Sequence, residues 1–293
     1  MELRARPPYD WPGLHRFFCD RAIPGVESCA AGRYERTIEI GGHAGTVVVR
    51  GDVDGSALFV DVGDAEPSEV VTRRLRTMFD IDADPVAIAE ALATDKHLAP
   101  LVTARPGLRV PGCWDPFELV VRAILGQQIT VAAAQTLAGR LVERFGREFE
   151  PDRGRFLFPS PAALVEADVG AIGLPRRRAE TLRAVARAVV TGGLVLDTEA
   201  DRDATRAQLL AISGIGEWTV DYVSLRALKD PDAFPAGDLG LVRAAKRLGI
   251  AETPTDLRTA AEAWRPWRAY AALHLWQSLG DNAISRDDRG GRR

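Results

Sequence analysis

The sequence predicts an α+β fold, in which a small antiparallel sheet domain precedes a mainly α-helical body. Three segments with alternating or β-branched residues predict the strands of a meander, at residues 34–40, 46–50 and 57–62. Glycine-rich segments at 41–45 and 51–55 separate these strands and are typical of turns. From residue 84 onward the periodicity is helical, with short connections. A run of strands followed by a run of helices is typical of the α+β class.

Capping signals locate the helices. Asp115-Pro-Phe-Glu118 places Asp at the N-cap, Pro at the first helical position and Glu at the third. Ser160-Pro161 begins a short helix in the same way. Other helices are predicted near Pro12, from Pro67 to about Phe79, from Thr130 to Gly146, and at 176–190, 205–211, 217–229, 238–248, 255–264 and 266–279. The last residues, 287–293, are charged and glycine-rich, which predicts a disordered end.

Composition indicates a soluble globular protein of the cytoplasm. Hydrophobic residues make up 46% and charged residues 27% of the chain. No apolar run reaches the roughly 18–20 residues of a membrane span, and the N-terminus lacks the apolar core of a signal peptide. The net charge of −3 at first argues against nucleic acid as a partner. Global charge is a weak test, however, because the local field at a footprint decides binding.

The cysteines carry no recognisable pattern. Cys19, Cys29 and Cys113 are odd in number and widely spaced. They match no zinc or iron–sulfur motif and no disulfide framework. We therefore expect them to be small buried hydrophobic side chains.

The segment Leu209-Leu-Ala-Ile-Ser-Gly-Ile-Gly-Glu-Trp-Thr-Val220 is the most informative part of the chain. Two apolar helices flank a very short turn that contains Gly214 and Gly216. Glycines allow positive φ and close backbone approach, so amides at the start of the second helix can bind phosphate without a lysine. The alternative interpretation is a tight helix–helix turn in which the glycines serve geometry alone.

Asp238 and a set of aromatic residues are the next candidates. Asp238 follows a Pro/Gly loop and begins a helix, so taken alone it is best explained as an N-cap, a role compatible with catalysis. Trp218 and Tyr222 share one helical face. Four more aromatics crowd the last helices: Trp264, Trp267, Tyr270 and Trp276. Most of these rings should be core, with one or two available to stack on an extruded base.

Taken together, several segments resemble the 3-methyladenine DNA glycosylase II family of the helix-hairpin-helix glycosylase superfamily, from Pro7 to about Leu279. The segments that carry the resemblance are Pro7-Pro-Tyr-Asp-Trp11, Arg105-Pro-Gly-Leu-Arg-Val-Pro-Gly112, Val121-Arg-Ala-Ile-Leu-Gly-Gln127, Gly214-Ile-Gly-Glu-Trp-Thr219, Trp264-Arg-Pro-Trp-Arg-Ala-Tyr270 and Leu273-His-Leu-Trp276. The resemblance implies a sheet domain at 1–88 and a helical domain at 114–230 with the helix-hairpin-helix at 209–229. A second helical domain is then formed by 89–113 and 231–283, and 284–293 is a disordered tail.

The resemblance also implies roles for individual residues. Asp238 takes the position of the catalytic aspartate. The amides of Gly214, Gly216 and Thr219 take that of the phosphate site, and the carbonyls of Leu210, Ile212 and Ile215 that of a monovalent cation site in the hairpin. No other cofactor is expected. Trp218, Tyr222, Trp276 and Phe17 are implied to line the base pocket.

Two departures from the family pattern stand out. Gln128 occupies the position of the DNA-intercalating wedge, where an apolar residue is usual. Leu239 and Gly240 replace bulkier neighbours of the aspartate, which predicts a wider pocket.

The function implied is that of a monomeric, monofunctional glycosylase, which flips alkylated bases such as 3-methyladenine and 7-methylguanine out of double-stranded DNA, in the cytoplasm at the nucleoid. Lyase chemistry needs an amine nucleophile. In related lyases a lysine follows the second hairpin glycine by two residues, and here that residue is Trp218. The four-cysteine cluster of the iron–sulfur branch is also missing from the sequence. Two alternatives stay open: a non-catalytic helix-hairpin-helix DNA-binding protein, and a glycosylase for neutral bases such as hypoxanthine.

Overall fold

The computed structural model describes residues 1–52, 56–63, 68–197 and 199–290. Its N-terminal part is a five-stranded antiparallel sheet with the order β1-β5-β4-β3-β2. The strands are β1 (Glu2–Arg4), β2 (Glu27–Ala30), β3 (Arg33–Ile40), β4 (His43–Gly51) and β5 (Ala57–Asp61). The three predicted strands are confirmed as β3, β4 and β5. The sequence missed β1 and β2, which are edge strands too short to show an alternating pattern.

The turn between β3 and β4 shows why glycine is needed there. Ile40 pairs with His43, which leaves Gly41 and Gly42 as a two-residue hairpin turn. Both glycines have positive φ, +59° and +82°. Such a turn matches the twist of the strands, and a side chain would be strained at either position. Of the second predicted separator, residues 53–55 lie outside the described part of the chain.

Two helices cover one face of the sheet, α1 (Trp11–Cys19) and α2 (Glu69–Met78). Asp10 caps α1 and Ser68 caps α2. Both helices agree with the prediction, although Pro67 itself is not among the described residues.

The remainder is mainly helical, as predicted, and the α+β class is confirmed. Its helices are α3 (Pro85–Leu92), α4 (Ala99–Ala104), α5 (Pro116–Leu125), α6 (Val131–Phe145), α7 (Pro161–Leu164), α8 (Arg176–Val190), α9 (Arg202–Leu210), α10 (Glu217–Arg226), α11 (Leu239–Arg247), α12 (Pro254–Ala260) and α13 (Arg268–Gly290). Asp115 caps α5 by accepting a hydrogen bond from the Glu118 amide at 2.9 Å. A small hairpin of β6 (Arg147–Glu150) and β7 (Arg155–Leu157) was not predicted.

Three hydrophobic cores support this architecture. One lies between the sheet and its two helices, around Tyr34 and Leu75. A second joins α5, α6, α8 and α10, and a third joins α3, α4, α11, α12 and α13. The domain limits at residues 88, 113 and 230 stay predictions.

The last helix, α13, extends to Gly290. The disordered tail at 284–293 stays a prediction, and residues 291–293 lie outside the described residues. One expectation was wrong. Cys19 and Cys29 form a disulfide, with their Cα atoms 5.7 Å apart. The sequence could not show this proximity because β2, which carries Cys29, was not recognised as a strand.

Cys113 is half-buried and packs against the core of α5, α6, α8 and α10. It is the free cysteine of the described residues, and burial raises its pKa to about 12. No helix within the described residues is long and apolar enough to cross a membrane.

Candidate active site

Asp238 is held at the start of α11 by its own backbone and by its capping bond. The Asp238 amide donates to the Pro235 carbonyl at 2.8 Å, which closes the Pro/Gly loop. Its Oδ1 accepts a hydrogen bond from the Leu241 amide at 2.9 Å. The N-cap prediction is therefore confirmed, and the half-buried carboxylate has a fixed direction.

Two indole rings complete the hydrogen bonding of this carboxylate. Trp218 Nε1 on α10 donates to Asp238 Oδ2 at 2.8 Å, and Trp276 Nε1 on α13 donates to Oδ1 at 2.8 Å. With the Leu241 amide, three N–H donors stabilise the negative charge. An ionised carboxylate offers about four lone-pair sites, so Oδ2 keeps one for a further partner. The sequence suggested stacking roles for both tryptophans and missed this arrangement.

Gly240 packs directly against this arrangement. A Cβ at Gly240 would lie 2.9 Å from Asp238 Oδ1 and 3.2 Å from Trp276 Cδ1. Leu239 points away from the site, with 81% of its surface exposed. The glycine therefore lets Trp276 approach the carboxylate, and the effect of both residues on the width of the pocket stays a prediction.

Tyr222 continues the aromatic surface next to Trp218. The two rings stack with centroids 5.3 Å apart and planes inclined by 13°. The Arg226 guanidinium donates to the Tyr222 hydroxyl at 2.7 Å. Burial acts to raise the pKa of Tyr222, but the positive charges of Arg226 and Arg21 outweigh it and lower the pKa below its ordinary value. In the bond with Arg226 the Tyr222 hydroxyl is the acceptor, so that bond does not use its own proton.

Phe17 reaches the same region from the sheet domain. The Arg226 guanidinium lies 4.8 Å from its ring centre, and that of Arg21 lies 4.0 Å away. Phe17 also lines a small cleft with Pro111, Leu273 and others. The Arg226 guanidinium thus lies next to the rings of both Phe17 and Tyr222. Asp238 does not line the cleft at Phe17.

The other candidate aromatics are core residues, as expected for most of them. Trp264 is 2% exposed and donates its indole N–H to Asp95 at 2.9 Å. The Tyr270 hydroxyl donates to buried Asp80 at 2.9 Å.

The turn between α9 and α10 forms the predicted hairpin. Gly214 has φ +92°, and a Cβ there would lie 2.0 Å from Thr181 Oγ1, so no other residue fits. Gly216 begins α10 without any side-chain cap, and a Cβ there would meet nothing within 4 Å. The first amides of a helix have no intrahelical acceptor. The hairpin therefore presents amides next to open space, where an anion can bind them.

Gln127 is a residue whose importance the sequence did not indicate. Its side-chain amide donates to the Gly214 carbonyl and to Thr219 Oγ1, each at 3.2 Å. These bonds fasten the hairpin to the end of α5. Thr219 itself is 1% exposed, so its side chain supports the turn from inside.

Gln128, the candidate wedge, lies in the connection between α5 and α6. It is exposed and has φ +59°, a left-handed conformation uncommon for residues other than glycine. Its neighbour Ile129 is also exposed. The structure therefore displays the glutamine on a surface turn next to the residue that holds the hairpin.

The lysines lie away from Asp238. Lys229 pairs with Asp80 at 2.7 Å and Lys246 with Glu252 at 2.6 Å, and Lys96 follows α3 at the surface. The position two residues after Gly216 is Trp218, which is bonded to Asp238.

Comparison with known proteins places this geometry in a family. Residues 1–115 match the family model of the AlkA N-terminal domain, and residues 121–269 match that of the HhH-GPD superfamily base excision DNA repair protein. The chain is 35% identical to DNA-3-methyladenine glycosylase 2 of Escherichia coli K12, over 95% of the chain and 97% of that protein. It is 39% identical over 95% of its length to a probable bifunctional transcriptional activator/DNA repair enzyme AlkA of Mycobacterium tuberculosis, of which it spans 57%.

A solved structure agrees with the two family models. The 3-methyladenine DNA-glycosylase from Archaeoglobus fulgidus superposes with a TM-score of 0.83 at 26% identity, covering 94% of this chain and 97% of that one. The chain therefore belongs to the HhH-GPD superfamily of base excision DNA repair proteins, with an N-terminal domain of the AlkA type.

Proposed function

We propose that this chain is a monofunctional DNA glycosylase, which hydrolyses the N-glycosidic bond of alkylated bases in double-stranded DNA with Asp238 as its catalytic carboxylate. The observation that carries the proposal is the carboxylate held by two indoles and an amide, with one lone pair left on Oδ2. The 3-methyladenine and 7-methylguanine type of base is the expected substrate. The enzyme acts as a monomer in the cytoplasm, at the nucleoid.

The hairpin is the proposed site of DNA-backbone binding. The amides assigned to this contact are those of Gly214, Gly216 and Thr219, at and next to the start of α10, where the helix dipole favours negative charge. A phosphate bound there would lie two residues from Trp218 and therefore near Asp238. The net charge of −3 does not oppose this contact, because backbone amides bind phosphate without added cations.

Base flipping is assigned to Gln128. Unstacking a base costs a few kcal/mol, and least for a damaged one. An exposed glutamine in a fixed turn can fill the gap in the duplex and form hydrogen bonds to the unpaired partner base. This function depends on its side chain, since its backbone is already fixed in the left-handed conformation.

Bond cleavage requires stabilisation of a cationic sugar. An N3- or N7-alkylated purine carries a positive charge and leaves as a neutral base when the C1′–N bond breaks with its electron pair. The oxocarbenium-like sugar left behind is stabilised by the fixed Asp238 charge. Water then adds at C1′ and releases a proton, which the free lone pair of Oδ2 can accept.

The aromatic surface selects the base. Stacking and cation–π attraction on Trp218, Tyr222 and Trp276 contribute roughly 0.5–2 kcal/mol for each ring. Phe17 and Tyr222 already have guanidinium groups over or beside their rings. We therefore assign most of the attraction for a cationic base to the two tryptophans, and a positioning role to Phe17.

The absence of lyase activity is proposed from the same site. A Schiff base needs an amine near the sugar, and Trp218 stands where related lyases carry a lysine. Two of the three lysines are paired with carboxylates elsewhere in the structure. Strand cleavage should therefore occur only when alkali acts on the abasic product.

A monovalent cation is proposed to support the hairpin. Peptide carbonyls are oxygen ligands of the type that hard cations prefer, and the turn supplies those of Leu210, Ile212 and Ile215. The Ile212 carbonyl accepts one amide hydrogen bond, at 3.0 Å from Ile215, and has a second lone pair for an ion. Replacement of potassium by tetramethylammonium at constant ionic strength should weaken DNA binding, and equal binding in both salts would contradict this assignment.

The test is release of free bases from methylated duplex DNA by the wild type and by Asp238→Asn. The wild type should release 3-methyladenine and 7-methylguanine, and the variant almost none, with nicks only after alkali treatment. Circular dichroism of both proteins controls for folding. If folded wild type binds DNA but releases no base, the chain is a non-catalytic DNA-binding protein. If it releases hypoxanthine alone, it is a glycosylase for neutral bases.

A further inference from the structure

Three side chains that can bind a metal ion converge between α1 and β2. The ligand atoms of His15, Cys19 and Cys29 all lie within 4.8 Å of one another. His15 Nε2 is 3.4 Å from Cys19 Sγ. All three residues are half-buried, so that an ion can reach them from solvent.

The scaffold places these ligands with little freedom. His15 and Cys19 are four residues apart and therefore share one face of α1. Cys29 lies on β2, paired with Tyr34 of β3. The Trp11 ring lies 5.3 Å from that of His15 and packs so closely on Gly51 that a Cβ there would be 2.2 Å from it.

We propose that Cys19 and Cys29, when reduced, form with His15 a three-ligand site for zinc. Ideal tetrahedral zinc has Zn–S near 2.3 Å and Zn–N near 2.0–2.1 Å, which places sulfur and nitrogen ligands roughly 3.6 Å apart. The distance between His15 Nε2 and Cys19 Sγ is close to this value. The two sulfurs would separate to roughly 3.8 Å, which rotation of two side chains provides, and the fourth position would hold water or an added donor.

The chemistry balances with a dithiol as reductant. Two electrons and two protons from the dithiol convert the Cys19–Cys29 disulfide to two thiols, and the dithiol becomes a disulfide. Zinc then displaces one proton from each thiol, and His15 binds as the neutral ring. One bound zinc ion therefore excludes the disulfide, so that the site reports the redox state of the pair.

This proposal does not depend on the glycosylase assignment, because the site shares no ligand with Asp238 or the hairpin. Its readout is metal binding to the full chain. Phe17 lies between His15 and Cys19 on the same helix, but no change in base release is needed to test the site.

The experiment compares untreated protein with protein reduced by a dithiol and desalted without oxygen. A chromogenic thiol reagent should count two more thiols under native conditions after reduction. Zinc titrated in competition with a chromogenic chelator should bind one ion per reduced chain and none per oxidised chain. His15→Gln and Cys29→Ser should weaken zinc binding at least about tenfold, as loss of a ligand exceeds loss of a supporting contact.

Cys113→Ser is the matched control, since it removes the remaining thiol and leaves the three ligands intact. It should bind zinc like the wild type. Cobalt added to the reduced wild type should give thiolate charge-transfer absorption that is lost in Cys29→Ser. The proposal is overturned if the folded protein resists reduction, if the reduced chain binds no zinc, or if His15→Gln binds it unchanged.

Discussion

Substitution of Gly240 by alanine tests whether the position of the Asp238 carboxylate matters for catalysis. The added Cβ would lie 2.9 Å from Asp238 Oδ1, whereas ordinary contacts begin near 3.4 Å. The carboxylate must then move by about 0.5 Å or lose its bond to Trp276. Since a displacement of about 1 Å at a reacting group can cost about a hundredfold in rate, we expect kcat for base release to fall about 10- to 100-fold.

Stability should respond differently from activity. Overpacking costs about 1–3 kcal/mol, but alanine is favoured over glycine in a helix by roughly 0.5–1 kcal/mol. The free energy of unfolding should therefore fall by about 2.5 kcal/mol or less, and the variant should stay folded at assay temperature. The assay is single-turnover release of 7-methylguanine, with urea unfolding of each protein alongside.

Gly237→Ala is the matched control, because Gly237 lies one residue before Asp238 and a Cβ there meets nothing within 4 Å. It should release bases at the wild-type rate. Gly240→Ala with wild-type kcat would refute the reasoning that packing against Gly240 fixes the carboxylate. An equal loss in both variants would assign the effect to the loop as a whole.

Three further predictions concern single residues. Trp218→Phe and Trp276→Phe each remove one N–H hydrogen bond to the charged Asp238 carboxylate, worth about 1.5–3 kcal/mol. Each substitution should therefore lower the rate of single-turnover base release about 10- to 100-fold. Trp267→Phe, the control, should leave this rate unchanged. Gln127→Ala removes two hydrogen bonds to the hairpin and should lower the free energy of urea unfolding by about 1–2 kcal/mol; a similar loss in exposed Gln128→Ala would contradict that role. Burial, and then the charge of Arg105, lower the pKa of His274 from 6.5 to about 4. The folded state therefore favours the neutral ring, which contributes about 3 kcal/mol to the free energy of unfolding. This contribution is complete above pH 6.5 and is lost as the pH falls towards 4. Wild type should lose more unfolding free energy between pH 7 and pH 4.5 than His274→Gln, and parallel losses would exclude this residue as the cause.

Features encoded by neighbouring residues could be predicted from the sequence. The turn at Gly214 and Gly216, the cap at Asp238 and the start of α5 depend on a few consecutive residues, and all are present in the structure. The edge strands β1 and β2 depend on pairing with distant strands and were missed. Turns and helix caps can be predicted from a short stretch of sequence because the residues that interact in them are close together in the chain.

The chemistry of the site depended on contacts that the sequence does not display. Trp218 and Trp276 are 20 and 38 residues from Asp238, and nothing in their spacing shows that both indoles donate to it. The sequence alone predicts that Gly240 widens the pocket, because its packing partner, Trp276, is 36 residues away and the contact is not visible in the sequence. The Cys19–Cys29 bond was missed because the sequence did not show that Cys29 lies on a strand, β2, next to α1.

The arrangement of the hydrophobic cores explains why the site lies where it does. Val220 and Val223 of α10 belong to the core of α5, α6 and α8, whereas Leu225 on the same helix belongs to that of α11 and α13. Helix α10 therefore packs in both cores. Its Trp218 and Trp276 of α13 both donate to Asp238 at the start of α11, so these bonds join α10 to two helices of the core of α11 and α13. Arg226, at the end of α10, also donates to the carbonyls of Pro111 and Gly112 at 2.8 and 2.9 Å. These bonds hold α10 against the segment at Pro111 and Gly112 and against the start of α11. The carboxylate is therefore ordered before any substrate is bound, and DNA binding does not have to order it.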